Sequence, residues 1–231
     1  NEEFLKNPSV GKDLLRWKYQ RYVKEYCRTI RSVDEQVGRL LDYLEEKGVL
    51  DNTVIVYTSD QGFLLGEHGL YDKRFMYEES FRTPLIISCP SLVKKHSVCK
   101  ELVQNIDLAP TFLSLAGVEV PKEMSGRSLL PLFKNGKAEN WRNELYYHFY
   151  DYPAVGSVRK HDGIRTKRYK LIHWHGEGSG NDEAIDFWEL YDLKKDVMEV
   201  NNVYDNPKYV KVREALTVQL EKLRKDVGVT E

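Results

Sequence analysis

The 231-residue chain is 41% hydrophobic and 31% charged, the composition of an ordinary globular protein with enough apolar residues for a sizeable core. Lys and Arg number 35 against 36 Asp and Glu, which excludes a net field able to recruit nucleic acid or an anionic membrane. No apolar run approaches the roughly 18 residues of a membrane span, and Asn1-Glu2-Glu3-Phe4 lacks the basic and apolar pattern of a leader.

From Asp13 to Lys47 the sequence reads as one long helix or two in series. Val33, Val37, Leu40, Leu41 and Leu44 recur at helical spacing, with charges on the other faces, and Gly48 ends the run. Three cysteines without a CxxC pair leave the redox compartment open. Cys27 falls inside the helical run, which makes it a buried or half-buried packing residue. Next, Thr53–Thr58 is a short, β-branched run of the kind buried on both faces of a sheet, and a helix leading into such a strand is an α/β signature. A second strand, Pro84–Cys89, follows after about two dozen residues rich in Gly, charge and aromatics; connections of that length are usually functional. Asp107 is placed to N-cap a short helix through Ala116, with Gly117 as its stop, and Pro121–Gly136 reads as loop.

Beyond Trp141 the pattern changes. Alternating and aromatic stretches at Glu144–Tyr150, Gly163–Thr166, Tyr169–Trp174 and Phe187–Leu193 predict a small antiparallel sheet. Gly176–Gly180 reads as a flexible loop. Asn206-Pro207 opens a last helix with Val212, Leu216, Leu220 and Leu223 on one face. The expected organisation is thus α/β over residues 1–140, then a subdomain of antiparallel sheet and C-terminal helix over 141–231.

The chemistry concentrates between the first two strands. Ser59-Asp60-Gln61-Gly62 sits where the buried strand ends, the place where open α/β sheets bind ligands. A carboxylate beside an amide oxygen suits a hard cation such as Ca2+ or Mg2+. Side chains alternate along a strand, so Asp60 and Gln61 converge on one ion only if the backbone leaves strand geometry, which Gly62 permits. By itself the tetrapeptide reads as a turn capping a strand. Gly66-Glu67-His68-Gly69, Lys73, Tyr77-Glu78-Glu79 and Arg82-Thr83-Pro84 follow it in order.

That succession resembles the sulfatase family of the alkaline phosphatase superfamily. The likeness extends to Val33–Arg39, Ile106–Thr111, Ser125–Leu129, Arg165–Leu171 and Glu189–Leu193. It implies part of an α/β sandwich, with Asp60 and Gln61 as metal ligands and Lys73 contacting the sulfate and the leaving-group oxygen. Gln in place of the commoner Asn or His is similar to bacterial sulfatases acting on sulfated amino sugars. A sulfated carbohydrate, in particular a 6-O-sulfated amino sugar, is the implied substrate, and Ca2+, or alternatively Mg2+, the implied ion. The family's formylglycine nucleophile, made from Cys or Ser, has no counterpart here: Cys27-Arg28-Thr29-Ile30-Arg31 lacks the motif's Pro and Ser. The resemblance therefore implies the latter half of a longer enzyme whose N-terminal half is its partner, in a secreted, periplasmic or lysosomal setting.

His68 either lines the substrate pocket or braces the loop against Glu67 or a backbone carbonyl. Arg159, His161 and Arg165, with the aromatic run Tyr146–Tyr152, are candidates for sugar and anion contacts, or else for packing and surface charge. Glu78 and Arg82 are expected to brace the loop as an ion pair. His173 and His175 share a strand face but lack a third ligand. Two rival readings stand beside the sulfatase: a phosphodiester or phosphonate hydrolase of the same superfamily, and an inactive binding or structural fragment.

Overall fold

The structure, a computed structural model, describes residue 6 and residues 10–153, 158–178 and 183–229. The N-terminal tetrapeptide and the end of the predicted glycine loop lie outside these residues.

One continuous helix, α1 (Gly11–Glu46), realises the first periodic stretch. It ends in a Schellman arrangement: Gly48 at φ 66° donates to Glu45 O at 2.8 Å, and Val49 donates to Leu44 O at 3.0 Å. The helix buries none of its residues fully, and its apolar stripe stays open, with Val33 43% and Leu40 55% exposed. Cys27 is exposed as well, contrary to the packing role expected of it.

Strand β1 (Ile55–Thr58) pairs antiparallel with β4 (Leu85–Ser88), register Ile55↔Ser88 to Thr58↔Leu85. The expectation of burial on both faces is not met within this chain: β1 is half-buried, and Ile86 on β4 is 62% exposed. Between them lie a two-residue hairpin, β2 (Leu64–Leu65) with β3 (Tyr71–Asp72), and a single helical turn, α2 (Glu78–Phe81). Helices α3 (Leu108–Leu115) and α4 (Leu130–Phe133) follow, the latter inside the stretch read as loop. Leu129, Leu132 and Phe133 form a small core against β4 and α3.

Asp107 does not act as the side-chain cap of α3. Its fully buried carboxylate instead binds Arg142 through both oxygens, Gln104 N at 2.8 Å and Arg127 N at 2.8 Å. Thr111 Oγ1 accepts from Leu129 N at 2.8 Å in the same seam, and a Cβ on Gly126 would lie 1.9 Å from Ile106 O. The two downstream sequence markers are therefore two sides of one contact.

The C-terminal sheet runs β5 (Glu144–Phe149), β6 (His161–Thr166), β7 (Tyr169–Gly176) and β8 (Ile185–Asp192), each antiparallel to the next. Helix α5 (Val210–Asp226) packs Leu216 and Leu220 onto one face, against Ile164, Leu171 and Leu190. The other face carries Ile172, Trp174 and Tyr191 and receives Met76 from the central loop. Gly163 makes room for it, because a Cβ there would sit 2.6 Å from Met76 Sδ. No helix among the described residues is long and apolar enough to cross a membrane.

Candidate active-site loop

Asp60 and Gln61 leave β1 on a stretch pinned from three sides. Asn105 Nδ2 donates to Ser59 O at 3.1 Å and to Asp60 O at 2.8 Å. Ser59 Oγ donates to Gln61 O at 2.9 Å. Gly62 N and Phe63 N donate to Ser80 O and Glu79 O on α2, at 2.8 and 2.6 Å. Gly62 is needed here for close approach and not for a left-handed turn: a Cβ would lie 2.1 Å from Glu79 O. With the main chain held this way, the Asp60 side chain is exposed, and its only polar contact among the described residues is Ser59 Oγ at 3.2 Å. Asp60 and Gln61 line one cleft together with Arg74 and Phe75.

Lys73 follows the β2–β3 hairpin, between Asp72 at φ 83° and Arg74 at φ 90°. Two non-glycine residues at positive φ on either side of one position are uncommon, and such strain persists only where surroundings enforce it. Here Arg74 Nη1 binds Asp72 Oδ2 at 2.6 Å, and Tyr147 OH donates to Arg74 O at 2.7 Å. Lys73 itself is half-buried, forms no ion pair among the described residues and does not line the cleft that holds Asp60 and Gln61.

His68 sits in the hairpin loop at φ 55°, its ring stacked on Tyr77 at 4.2 Å and its Nε2 3.5 Å from Glu79 Oε2. Glu67 is occupied elsewhere, accepting from Leu65 N at 2.6 Å, so any bracing partner of His68 is Glu79. Tyr77 continues the chain of contacts, its OH 3.2 Å from both oxygens of Glu189, which also accepts from Trp174 Nε1 at 2.8 Å. Burial, reinforced by Glu189, raises the Tyr77 hydroxyl far above its ordinary range and keeps it a neutral donor.

The expected Glu78–Arg82 pair does not form; Arg82 is exposed. Glu78 binds Lys170 Nζ at 2.9 Å and Arg165 at 3.3 Å, and Lys170 also binds Glu199 at 2.6 Å. Glu199 returns to the loop by accepting from Glu78 N at 2.6 Å. Arg165 is thus a loop brace from the sheet.

Arg159 places its guanidinium 4.8 Å from the centre of the Tyr152 ring. His161 is fully buried, stacked on Trp174 at 4.2 Å and beside Phe149 at 5.5 Å, with Nδ1 2.8 Å from Arg159 O. This is a packing position and not an open one. Burial lowers its pKa from 6.5 to about 4, against the smaller pull of the Arg159 carbonyl. Above pH 6.5 the ring is neutral folded and unfolded; below it the unfolded chain binds a proton that the folded chain refuses. Stability should therefore fall by roughly 3 kcal/mol between pH 6.5 and 4. Urea unfolding across that range, in chelator-containing buffer, checks this; an equal slope in His161→Phe would reject it.

The sequence pointed to Asp60, Gln61, His68 and Lys73 but not to Asn105, Arg74 or Glu79, which hold them. Asn105 directly precedes the Ile106–Thr111 marker, and only its contact across the fold gives it a role.

The sulfatase family model matches residues 2–118, and the model for the C-terminal part of N-sulphoglucosamine sulphohydrolase matches residues 66–226. An N-acetylglucosamine-6-O-sulfatase of Bacteroides thetaiotaomicron is 51% identical over 96% of this chain and 39% of its own length. A protein solved in complex with its substrate D-glucosamine-2-N,6-O-disulfate superposes with TM-score 0.89 and 50% identity, over 97% of this chain and 44% of that one. A phosphonate monoester hydrolase of Agrobacterium radiobacter is more distant, at TM-score 0.70 and 27% identity over 85% of this chain and 40% of that one. The chain thus spans about two fifths of the length of the relatives it matches. On these matches the chain belongs to the sulfatase family of the alkaline phosphatase superfamily.

Proposed function

We propose that this chain supplies the cation-binding and charge-stabilising loop of a sulfatase that hydrolyses sulfate esters of a carbohydrate, in particular a 6-O-sulfated amino sugar. The observation that carries the reading is the Asp60-Gln61 pair at the end of β1, Asp60 exposed and Gln61 half-buried, on a main chain pinned by Asn105 and α2. Its support in kind is the 51% identity to an N-acetylglucosamine-6-O-sulfatase. Residues 1–140 would form part of the catalytic α/β domain, and residues 141–231 the subdomain that braces it.

The donor set at Asp60 and Gln61 fits Ca2+, or Mg2+, because both offer hard oxygen atoms. Two ligands are fewer than the roughly 6–8 that Ca2+ takes, so further donors come from the N-terminal part of the enzyme. When bound, the ion would screen the negative charge of the sulfate group. The nucleophile, a formylglycine in this reading, also belongs to that part. Lys73, held between two strained residues, would stabilise negative charge on the departing sugar oxygen. Arg159 with Tyr152, and His68 on its Tyr77 platform, would line the way in for the sugar. His161 would act behind them by packing Trp174.

The test uses the complete enzyme. Lys73→Ala should lower kcat for a 6-O-sulfated glucosamine substrate by about 10²–10³-fold, with Ca2+ affinity unchanged. Asp60→Asn should weaken Ca2+ binding in calorimetry. Unchanged turnover in Lys73→Ala would remove this assignment, and preferential cleavage of a phosphonate monoester would favour the hydrolase alternative instead.

A further inference from the structure

The face of the C-terminal sheet turned away from the active-site loop carries a second group of metal-ligating side chains. Strand alternation and register place His148, Asp162 and His173 side by side across three strands, with His175 two residues along β7. The third ligand that the sequence did not supply to His173 and His175 is Asp162, from the neighbouring strand. One donor atom from each of Asp162, His173 and His175 lies within 4.8 Å of the others. Asp162 Oδ1 is 3.6 Å from His175 Nε2 and 4.0 Å from His173 Nδ1. Tetrahedral coordination with bonds of about 2.0–2.1 Å sets donors roughly 3.3 Å apart, so only side-chain adjustment is needed to close the set. His148 lines the same small cavity, its ring 6.3 Å from that of His175.

The hydrogen bonds orient the group as a ligand set. Arg224 Nη2 lies 2.9 Å from His173 Nδ1 and donates to it, which makes Nδ1 the lone-pair nitrogen. Nε2 then carries the proton and donates to Asp186 Oδ1 at 2.8 Å. A carboxylate on the far nitrogen is the arrangement that fixes tautomer and ring direction in metal-bound histidines. Trp188 stacks on the same ring at 3.9 Å and 8° and holds its plane. A cationic group already occupies the focus: Arg224 reaches Asp162 through Nε at 2.6 Å and Nη2 at 2.5 Å, and Tyr146 OH adds a donor at 3.0 Å. Arg224 also holds Glu221 at 2.5 Å, one turn earlier on α5, a partner to which its flexible stem can retreat.

We propose that Asp162, His173 and His175, with His148 at the rim as a fourth donor, form a site for a divalent transition metal of the Zn2+ type, which binds by displacing Arg224. Imidazole nitrogens select such ions over Ca2+ and Mg2+, so the site differs in chemistry from the oxygen pair Asp60 and Gln61. It lies behind the sheet from Trp174 and Met76 and takes no part in the hydrolysis proposed above.

Calorimetry of the full chain with Zn2+, in the presence of excess Ca2+, tests the site. One equivalent should bind, with affinity at least about tenfold weaker in His175→Gln and in His173→Gln. Asp60→Asn should bind Zn2+ like the unaltered chain. Arg224→Met removes the competing guanidinium and should tighten binding about tenfold or more. Equal affinity in His175→Gln, loss of binding in Asp60→Asn, or no uptake by either the unaltered chain or Arg224→Met would overturn the proposal. His175 lies 20% exposed near a strand end, so its substitution spares the core; Arg224→Met must keep the circular dichroism and the melting transition of the unaltered chain, because an unfolded chain binds Zn2+ through its free histidines and cysteines.

Discussion

Replacing Lys170 with methionine is expected to lower the unfolding free energy by about 3–5 kcal/mol, as removal of one partner from a buried ionic group does. Lys170 is a fully buried lysine on β7, and its ammonium lies 2.9 Å from Glu78 and 2.6 Å from Glu199. Burial alone would raise both carboxyls. It does raise that of Glu199, whereas at Glu78 the charges of Lys170 and Arg165 outweigh it and hold the carboxyl below its usual range. Without Lys170, Arg165 still neutralises Glu78, but Glu199 is left as a buried anion. Methionine fills much the same volume, so a cavity contributes little. The urea midpoint of Lys170→Met should recover partly when Glu199→Gln is added, since a neutral amide needs no counter-charge. A loss below about 1 kcal/mol, the range of a solvated surface pair, would mean that water reaches the group. Because Glu199 also receives Glu78 N, the same substitution should loosen α2, on which the Asp60–Phe63 backbone rests.

Asp107→Ala should cost a similar amount, about 3–5 kcal/mol, for the opposite reason of charge. Here the anion is removed, and Arg142, itself only 10% exposed at its side chain, loses both of its hydrogen bonds to Asp107. Gln104 N and Arg127 N lose their acceptor in the same step. Asp107→Asn, which keeps an acceptor oxygen for only part of this set, should fall between Ala and the native residue. The effect should reach the loop proposed to bind the cation, because Asn105 lies two residues before Asp107 and binds the carbonyls of Ser59 and Asp60. In the complete enzyme, Ca2+ affinity should therefore drop in Asp107→Ala along with the melting temperature. An unchanged affinity with a lowered melting temperature would confine Asp107 to the scaffold.

The elements that could be read from the chain were those whose cause is local. The α1 stop at Gly48 needed only a glycine after a periodic stretch, and α5 only four leucines and valines on one face behind Asn206-Pro207. The four C-terminal strands announced themselves by alternation and came out within a few residues of their ends. Where the reading failed, the missing information was long-range. Glu78 chose Lys170 and Arg165 over the nearby Arg82 because β6 and β7 bring two cations under α2. For His161 the residue type left a sugar or anion contact and a packing role open; the register of the sheet decides for packing, because this position on β6 faces Trp174. The apolar stripe of α1 and the apolar run of β1 predicted burial that this chain does not provide.

The central loop shows the division most clearly. Asp60, Gln61, His68 and Lys73 were marked by their order along the chain, because the spacing of ligand-type residues around glycines is a property of sequence. What holds them is not: Gly62 against Glu79 O, Asn105 under Ser59 and Asp60, Tyr147 on Arg74 O are contacts between segments that are distant along the chain. The same holds behind the sheet, where His173 and His175 were visible as a pair and only strand pairing brought Asp162 to them. Residue chemistry is encoded one position at a time, whereas geometry at a site requires the chain to return to itself. The sequence by itself therefore determined which side chains this protein offers, and the tertiary structure alone decided which of them meet.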